Sequence, residues 1–243
     1  MREYDLSLDA PALKGLTIAV IADLHAGAPY IDAAKIDDVV ARTNAGRPDL
    51  ILLAGDYVSD RDDDSLRMPL AAIAEHLKGL DAPLGVYAVL GNHDHQAGGR
   101  RVTAALAQAG IFVLNNIHAV VSRPQGQVIL AGIDTVTGPR DGREALAGLG
   151  QEKVLCVTHM PDEFRTLPAA CVLTIAGHTH GGQVALPLLG RPAVSRASHY
   201  GQRYAGGIVR EGGRTLFVST GIGTTFLPVR LGVPPEISLL KIQ

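Results

Sequence analysis

The chain has 243 residues, 47% hydrophobic and 19% charged, which excludes a largely disordered protein and supplies enough apolar side chains for a sizeable core. A net charge of −2 leaves no basic excess, so no nucleic-acid scaffold is indicated as a general partner. The two cysteines, Cys156 and Cys171, sit in the apolar runs "VLCVTH" and "ACVLTIAG" and read as buried small hydrophobes rather than a disulfide framework; with no cysteine-type zinc spacing, any metal must be held by nitrogen and oxygen.

No signal peptide and no membrane-spanning run is visible. Met1–Pro11 is short and polar, and an ordered element comes at once after it, a start that fits a native terminus and equally a chain from which an anchor has been cut. "LTIAVIA" (16–22), "LILLA" (50–54) and "GVYAVL" (85–90) are continuous apolar runs of the kind that form strands buried on both faces. Between and after them, 31–46, 65–80 and 98–110 have helical periodicity. Pro69 suits the first turn of the second helix or kinks it, and Gly110 closes the third. The second half is richer in strand-like runs, with a hairpin expected at Gly212–Gly213. The expectation is one α/β domain over 1–243, with two packed mixed β-sheets flanked by helices.

The informative pattern lies in the residues directly after each apolar run. Asp23-Leu24-His25 stands after the first, Gly55-Asp56 after the second and Gly91-Asn92-His93-Asp94 after the third. His159 stands after "VLCVT", and Gly177-His178-Thr179-His180 after "VLTIA". Loops at the carboxyl ends of α/β strands build sites, so these groups should converge. Carboxylate oxygen with imidazole nitrogen suits Mn, Fe or Zn. The set is too large for one tetrahedral ion and about right for two ions sharing a carboxylate, an arrangement that phosphoryl-ester hydrolysis uses directly.

These five motifs, in this order, resemble the calcineurin-like metallophosphoesterase superfamily, and the resemblance runs from residue 23 to residue 180. "GHTHGGQ" and "STGIGTTFLPVRLGVPPEI" are similar, more narrowly, to a bacterial branch of predicted phosphodiesterases, some of them membrane-anchored and some acting on UDP-diacylglucosamine-type lipids. The resemblance implies a four-layer sandwich whose second sheet is completed by the tail to 243. It implies Asp23, His25 and His180 on a first metal, Asn92, His159 and His178 on a second, and Asp56 bridging both. It also implies His93 as the group that reaches the phosphate and protonates the leaving oxygen, with Asp94 orienting His93. One departure is visible: "GDYVSD" places Ser59 where many relatives carry a second Asp, with Asp60 one residue later, which puts the support of the Asp56 loop in doubt.

The expected activity is a metal-dependent phosphodiesterase with a dinuclear centre and a bridging hydroxide attacking phosphorus in line. The cofactors are two divalent or trivalent ions, and the substrate is a small-molecule or lipid phosphoester. A pyrophosphohydrolase of a nucleotide-linked lipid, a phosphomonoesterase and a catalytically inactive scaffold are the alternatives; retention of every expected ligand and of His93 argues against the last. A cytoplasmic location is expected, with peripheral membrane association as the alternative; the Leu- and Pro-rich 185–195 stretch reads either as a lip for an apolar or lipid substrate or as a loop tucked on the second sheet. Other residues weighed are His95 as a substrate contact, Arg230 as a phosphate contact or plain surface arginine, His76 as a surface residue, and the charged run 61–64 as a solvated rim. His118 and His199 carry no readable pattern.

Overall fold

The computed structural model describes residues 1–27, 29–59, 66–225 and 228–243. Its first strand, β1 (Arg2–Leu6), lies in the stretch read as merely polar, where one edge position leaves only Leu6 buried. The expected runs become β2 (Thr17–Ile21), β3 (Leu50–Leu53) and β4 (Val86–Ala88), joined by parallel pairing to the short β5 (Phe112–Val113). Helix α1 (Ala33–Ala45) starts where Asp32 accepts a hydrogen bond from the Lys35 backbone N–H at 2.8 Å, and its buried face is Ile36, Val39, Val40 and Thr43. Helix α2 (Leu70–Leu77) is shorter than the 65–80 periodicity implies, because Pro69 sits at its cap rather than inside it; residues 60–65 lie outside the described set. Two helices come next, α3 (Asn92–Gln96) and α4 (Gly99–Gln108), the latter followed by Gly110 at φ +80° as a left-handed C-terminal stop.

The second sheet contains β6 (His118–Arg123), β7 (Gly126–Ile133), β8 (Val154–Thr158), β9 (Cys171–Ala176), β10 (Gly207–Glu211) and β11 (Arg214–Val218). The hairpin turn between β10 and β11 is Gly212–Gly213, both with positive φ as a primed turn requires. The order is β10-β11-β9-β8-β7-β6, parallel through β11, β9, β8 and β7 and antiparallel at both edges. The last strand, β12 (Ser238–Ile242), does not complete this sheet as expected. It inserts into the first, between β1 and β2, giving β1-β12-β2-β3-β4-β5.

Continuous apolar runs result from this layering. Ile18, Val20, Leu50 and Leu52 face Leu130, Leu155, Leu173 and Phe217 across the sandwich. The alternate residues Ala19, Ile21, Ile51 and Leu53 face the helices, against Ile36, Val39, Ile73, Leu77 and Leu106. The outer face of the second sheet is covered by short 3₁₀ segments, among them Pro161–Arg165 and Gly201–Tyr204, which seat Phe164 and Tyr204 on Leu216 and Val218.

The cysteines are buried as expected but are not free: Cys156 and Cys171 form a disulfide. The two Cα atoms lie on neighbouring strands 5.5 Å apart, within disulfide reach, and a cross-strand approach of this kind leaves no mark in either apolar run. The bond spans 15 residues; loop-closure entropy for that span stabilises the fold by about 3 kcal/mol. Urea unfolding of the wild type should therefore shift to lower midpoint on adding reductant, whereas Cys156→Ala/Cys171→Ala should start lower and not respond. Equal midpoints throughout would show that the bond contributes nothing.

Candidate metal centre

The strand ladders continue into the loops beyond them. The backbone N–H of Asp23 donates to Gly55 O at 2.9 Å and that of His25 to Asp56 O at 3.0 Å, while Gly177 N–H donates to His159 O at 3.0 Å. The loops after β2, β3, β8 and β9 are thereby held side by side, and their side chains form two clusters. Asp23, His25 and His180 place one ligand atom each within 4.8 Å of one another, and so do Asp56, His159 and His178.

Within the first cluster His25 Nε2 lies 3.1 Å from His180 Nε2, which is 3.7 Å from Asp23 Oδ1. Within the second His159 Nε2 lies 3.1 Å from His178 Nδ1 and 3.1 Å from Asp56 Oδ2. Two imidazole nitrogens on one ion, each bonded at about 2.1 Å, stand roughly 3.0–3.4 Å apart; the observed pairs have that spacing. Asp56 Oδ2 is also 3.6 Å from His25 Nε2, so this carboxylate reaches both clusters. Asn92 Oδ1 is buried without a hydrogen-bond partner, which suits a carbonyl ligand. His159 directs Nδ1 to Ala54 O at 2.7 Å, which assigns its ring proton to Nδ1 and leaves Nε2 as the donor atom, while His180 Nδ1 lies 3.4 Å from Gly223 O and 3.5 Å from Arg230 Nη2.

The backbone is distorted at the same place. Nine described residues other than glycine have positive φ, and Asp23, His25, Asp56, His178 and His180 are five of them. Each left-handed side-chain-bearing residue costs about 1 kcal/mol. In "GHTHGGQ" the left-handed backbone falls on the two histidines, at φ +70° and +50°, as well as on Gly181 and Gly182. Gly91 and Gly177 serve by close approach instead, since an added Cβ would collide with the Asp56 carboxylate at Gly91 and meet Asp23 Oδ2 at 2.8 Å at Gly177.

The site's charges are tightly opposed. Burial, reinforced by Asp56, raises Asp23 to about 7, with His159 acting against it. Burial would raise Asp56 too, but His159, His25 and His93 outweigh it and hold that carboxyl well below its ordinary range. Burial pulls His159 down, yet the Asp56 and Asp23 carboxylates carry it up to about 10. His178 falls to about 3 through burial and the neighbouring His159, and His180 falls well below its usual value through burial, His25 and Arg230. Two dry carboxylates facing His178 and His180, which resist protonation, and His159, whose proton the carboxylates hold, form a donor set matched to cations.

Several expected roles change. Asp94 does not orient His93: its Oδ2 accepts from the backbone N–H of Asp56 (2.7 Å) and Gly91 (2.8 Å), and its Oδ1 from Tyr57 (2.9 Å) and Val58 (3.2 Å). It thus supplies the support that the Ser59 departure left in doubt. The His93 ring pairs through Nδ1 with Gln96 Oε1 at 3.1 Å, a partner one turn along α3 that the sequence reading missed. His93 and Asn92 line a cleft of ≈ 450 Å³, with Asp56, His178 and His180 at its floor. His95 does not line it and approaches Asp134 instead. Arg230 turns inward, donating to Gly223 O and Thr220 O behind His180, and so fixes that loop rather than reaching the cleft. His76 joins α2 to Asp37 on α1, His118 meets Ala145 O, and His199 meets Asp162. Residues 61–64 lie outside the described set.

Asp94→Ala would strand four buried N–H groups, so a loss of about 2–4 kcal/mol is expected, together with reduced metal content because three of the four belong to the Asp56 loop and the fourth, Gly91, directly precedes Asn92. Chemical denaturation and elemental analysis of the purified variant check this; unchanged stability would show that water replaces the carboxylate.

The geometry agrees with what the chain resembles. Residues 16–195 match the model of the calcineurin-like phosphoesterase family. The metallophosphoesterase YkuE of Bacillus subtilis is 31% identical over 98% of this chain and 82% of its own length. The phosphodiesterase YaeI of Escherichia coli is 30% identical over 93% of this chain and 81% of its own. Among solved structures, the NAD nucleotidase of Haemophilus influenzae shares the fold, with a TM-score of 0.50 at 16% identity over 84% of this chain and 44% of that one. The chain belongs to the calcineurin-like phosphoesterase family and is a phosphoric ester hydrolase.

Proposed function

We propose that the chain is a dinuclear phosphodiesterase, read as one domain over 1–243. The observation that carries this reading is the position of Asp56 Oδ2, within 3.1 Å of His159 and 3.6 Å of His25 and so shared by both ligand clusters. Asp23, His25 and His180 would hold one ion, Asn92, His159 and His178 the other, with Asp56 between them; Mn, Fe and Zn all suit the donor set. When bound, the two ions supply hydroxide at neutral pH and neutralise charge on the phosphoryl oxygens. The chain's own residues do the rest. Asp56 Oδ1 accepts the His93 backbone N–H at 2.9 Å and sets the start of α3 against the ligands. The Gln96 amide oxygen accepts the proton on His93 Nδ1, which directs Nε2 into the cleft as the donor to the departing oxygen.

The cleft also supports a substrate with an apolar portion. Val184, Ala193, Ala197 and Val229 line it. The hairpin closed by the Leu186–Gly190 bridge carries Leu188, fully exposed, and Leu189, 67% exposed, and Leu231, 55% exposed, pairs beside it with Val184. An apolar lip at the mouth of a polar site fits a lipid phosphodiester drawn from a membrane surface. Among the described residues no helix is long and apolar enough to cross a membrane. The Cys156–Cys171 disulfide favours an oxidising compartment over the cytoplasm expected from the sequence.

His93→Ala should keep its metals and lose roughly 10²–10⁴-fold in kcat on diesters with poor leaving groups; wild-type rates on such a diester would remove His93 from the mechanism. Asp56→Asn should lose at least one equivalent of metal by elemental analysis, and full metal content would refute the bridging role. Leu188→Ser/Leu189→Ser should lower turnover of a diester embedded in phospholipid vesicles by about 10-fold and leave bis-p-nitrophenyl phosphate unchanged. Equal rates on both would exclude the lip.

A further inference from the structure

Helix α3 has five residues, too few to hold a position by itself. Its first turn is fixed to the first sheet by Asp94, whose carboxylate binds the Asp56 loop. Its last turn is fixed in the opposite direction. His95 Nε2 lies 3.0 Å from Asp134 Oδ1, with side chains 11% and 2% exposed. The ring packs on the backbone at the start of α4, where a Cβ added to Gly99 would meet His95 Nδ1 at 2.7 Å. The two atoms are in close polar contact, with the ring angled outside good hydrogen-bond geometry.

Asp134 is itself immobilised. Its Oδ1 accepts from the backbone N–H of Val136 (2.8 Å) and Thr137 (3.2 Å), and its Oδ2 from Thr137 Oγ1 (2.6 Å). Its own N–H donates to Asn116 Oδ1 at 2.9 Å. It stands directly after β7, beside the strand whose end carries His159. The contact therefore fastens the end of a helix belonging to the first sheet onto a rigid turn of the second.

The geometry points to His95 and Asp134 as positioning residues that set the reach of His93 to the leaving oxygen. The link is Gln96, which occupies the turn that His95 pins and holds the His93 ring at Nδ1. Release of His95 frays that turn, withdraws Gln96 and lets the His93 ring rotate, and small misplacements of a proton donor are expensive in rate. This rests on His93 being the proton donor.

The test compares two diesters, one losing 4-nitrophenolate and one losing an alkoxide, on His95→Ala, Asp134→Ala, the double variant, His95→Gln, Gln96→Ala and His93→Ala. For His95→Ala, kcat on the alkoxide diester should fall by about 10- to 100-fold, with KM, metal content and the 4-nitrophenyl rate nearly unchanged. Gln96→Ala and Asp134→Ala should reproduce the pattern, the double variant should add nothing, and His95→Gln, which keeps an N–H toward Asp134, should recover most of the rate. Equal losses on both diesters, a loss that tracks metal content, or no loss would overturn the assignment. If Asp134→Ala does not fold, the His95 and Gln96 variants decide alone. A selective loss on the alkoxide diester in His93→Ala but not in His95→Ala removes the pin and leaves the proton donor standing. No selective loss on the alkoxide diester in His93→Ala removes both.

Discussion

One carboxylate holds the first-sheet half of the site together. Asp94 accepts four backbone N–H groups from two loops, and Asp56, Asn92 and His93 are all placed by the backbone it ties down. Burial and Asp56 push its carboxyl up to about 7, so the four donors work against a strong opposing tendency. Buried backbone donors without an acceptor are costly, and two tight loops ending parallel strands expose several at once. A single inward Asp satisfies them and removes the freedom of both loops together.

The two sheets contribute unlike parts to one centre. The first supplies Asp23, His25, Asp56, Asn92 and His93, and the second supplies His159, His178 and His180. Neither ligand cluster is complete within one sheet, since Asp23 and His25 need His180, and Asp56 needs His159 and His178. The apolar layer between the sheets therefore sets the ligand distances. Leu130, Leu155 and Phe217 against Ile18, Leu50 and Leu52 determine how far apart the two rows of loops stand. Packing and chemistry are joined here through thickness.

The convergence of the candidate ligands was legible in the sequence because each stands directly after an apolar run, and strand ends are local features. Pairing was less so. The last strand enters the first sheet, and no property of "EISLLKI" distinguishes one sheet from the other; only the partners do. The same limit hid β1, an edge strand with a polar pattern, and the disulfide, which depends on the pairing of β8 with β9. Asp134 was within reach, as a carboxylate after "VILAGI" that obeys the rule used for Asp23 and Asp56. Its partner His95 was not, because helix α3 turns successive side chains toward different sheets. Asp94 was assigned to its sequence neighbour His93, whereas a residue on a short helix faces away from the next one.

The left-handed backbone at Asp23, His25, Asp56, His178 and His180 has a consequence for descent. Glycine would relax the backbone at all five positions, so the side chains there are kept against a conformational cost. Selection for ion binding is then the force that keeps side chains there. In a lineage released from that selection, these positions should drift to glycine or asparagine, while the turns themselves persist. A run of glycines after the strands of such a descendant would be the fossil of a lost metal cradle, readable long after the last imidazole had gone.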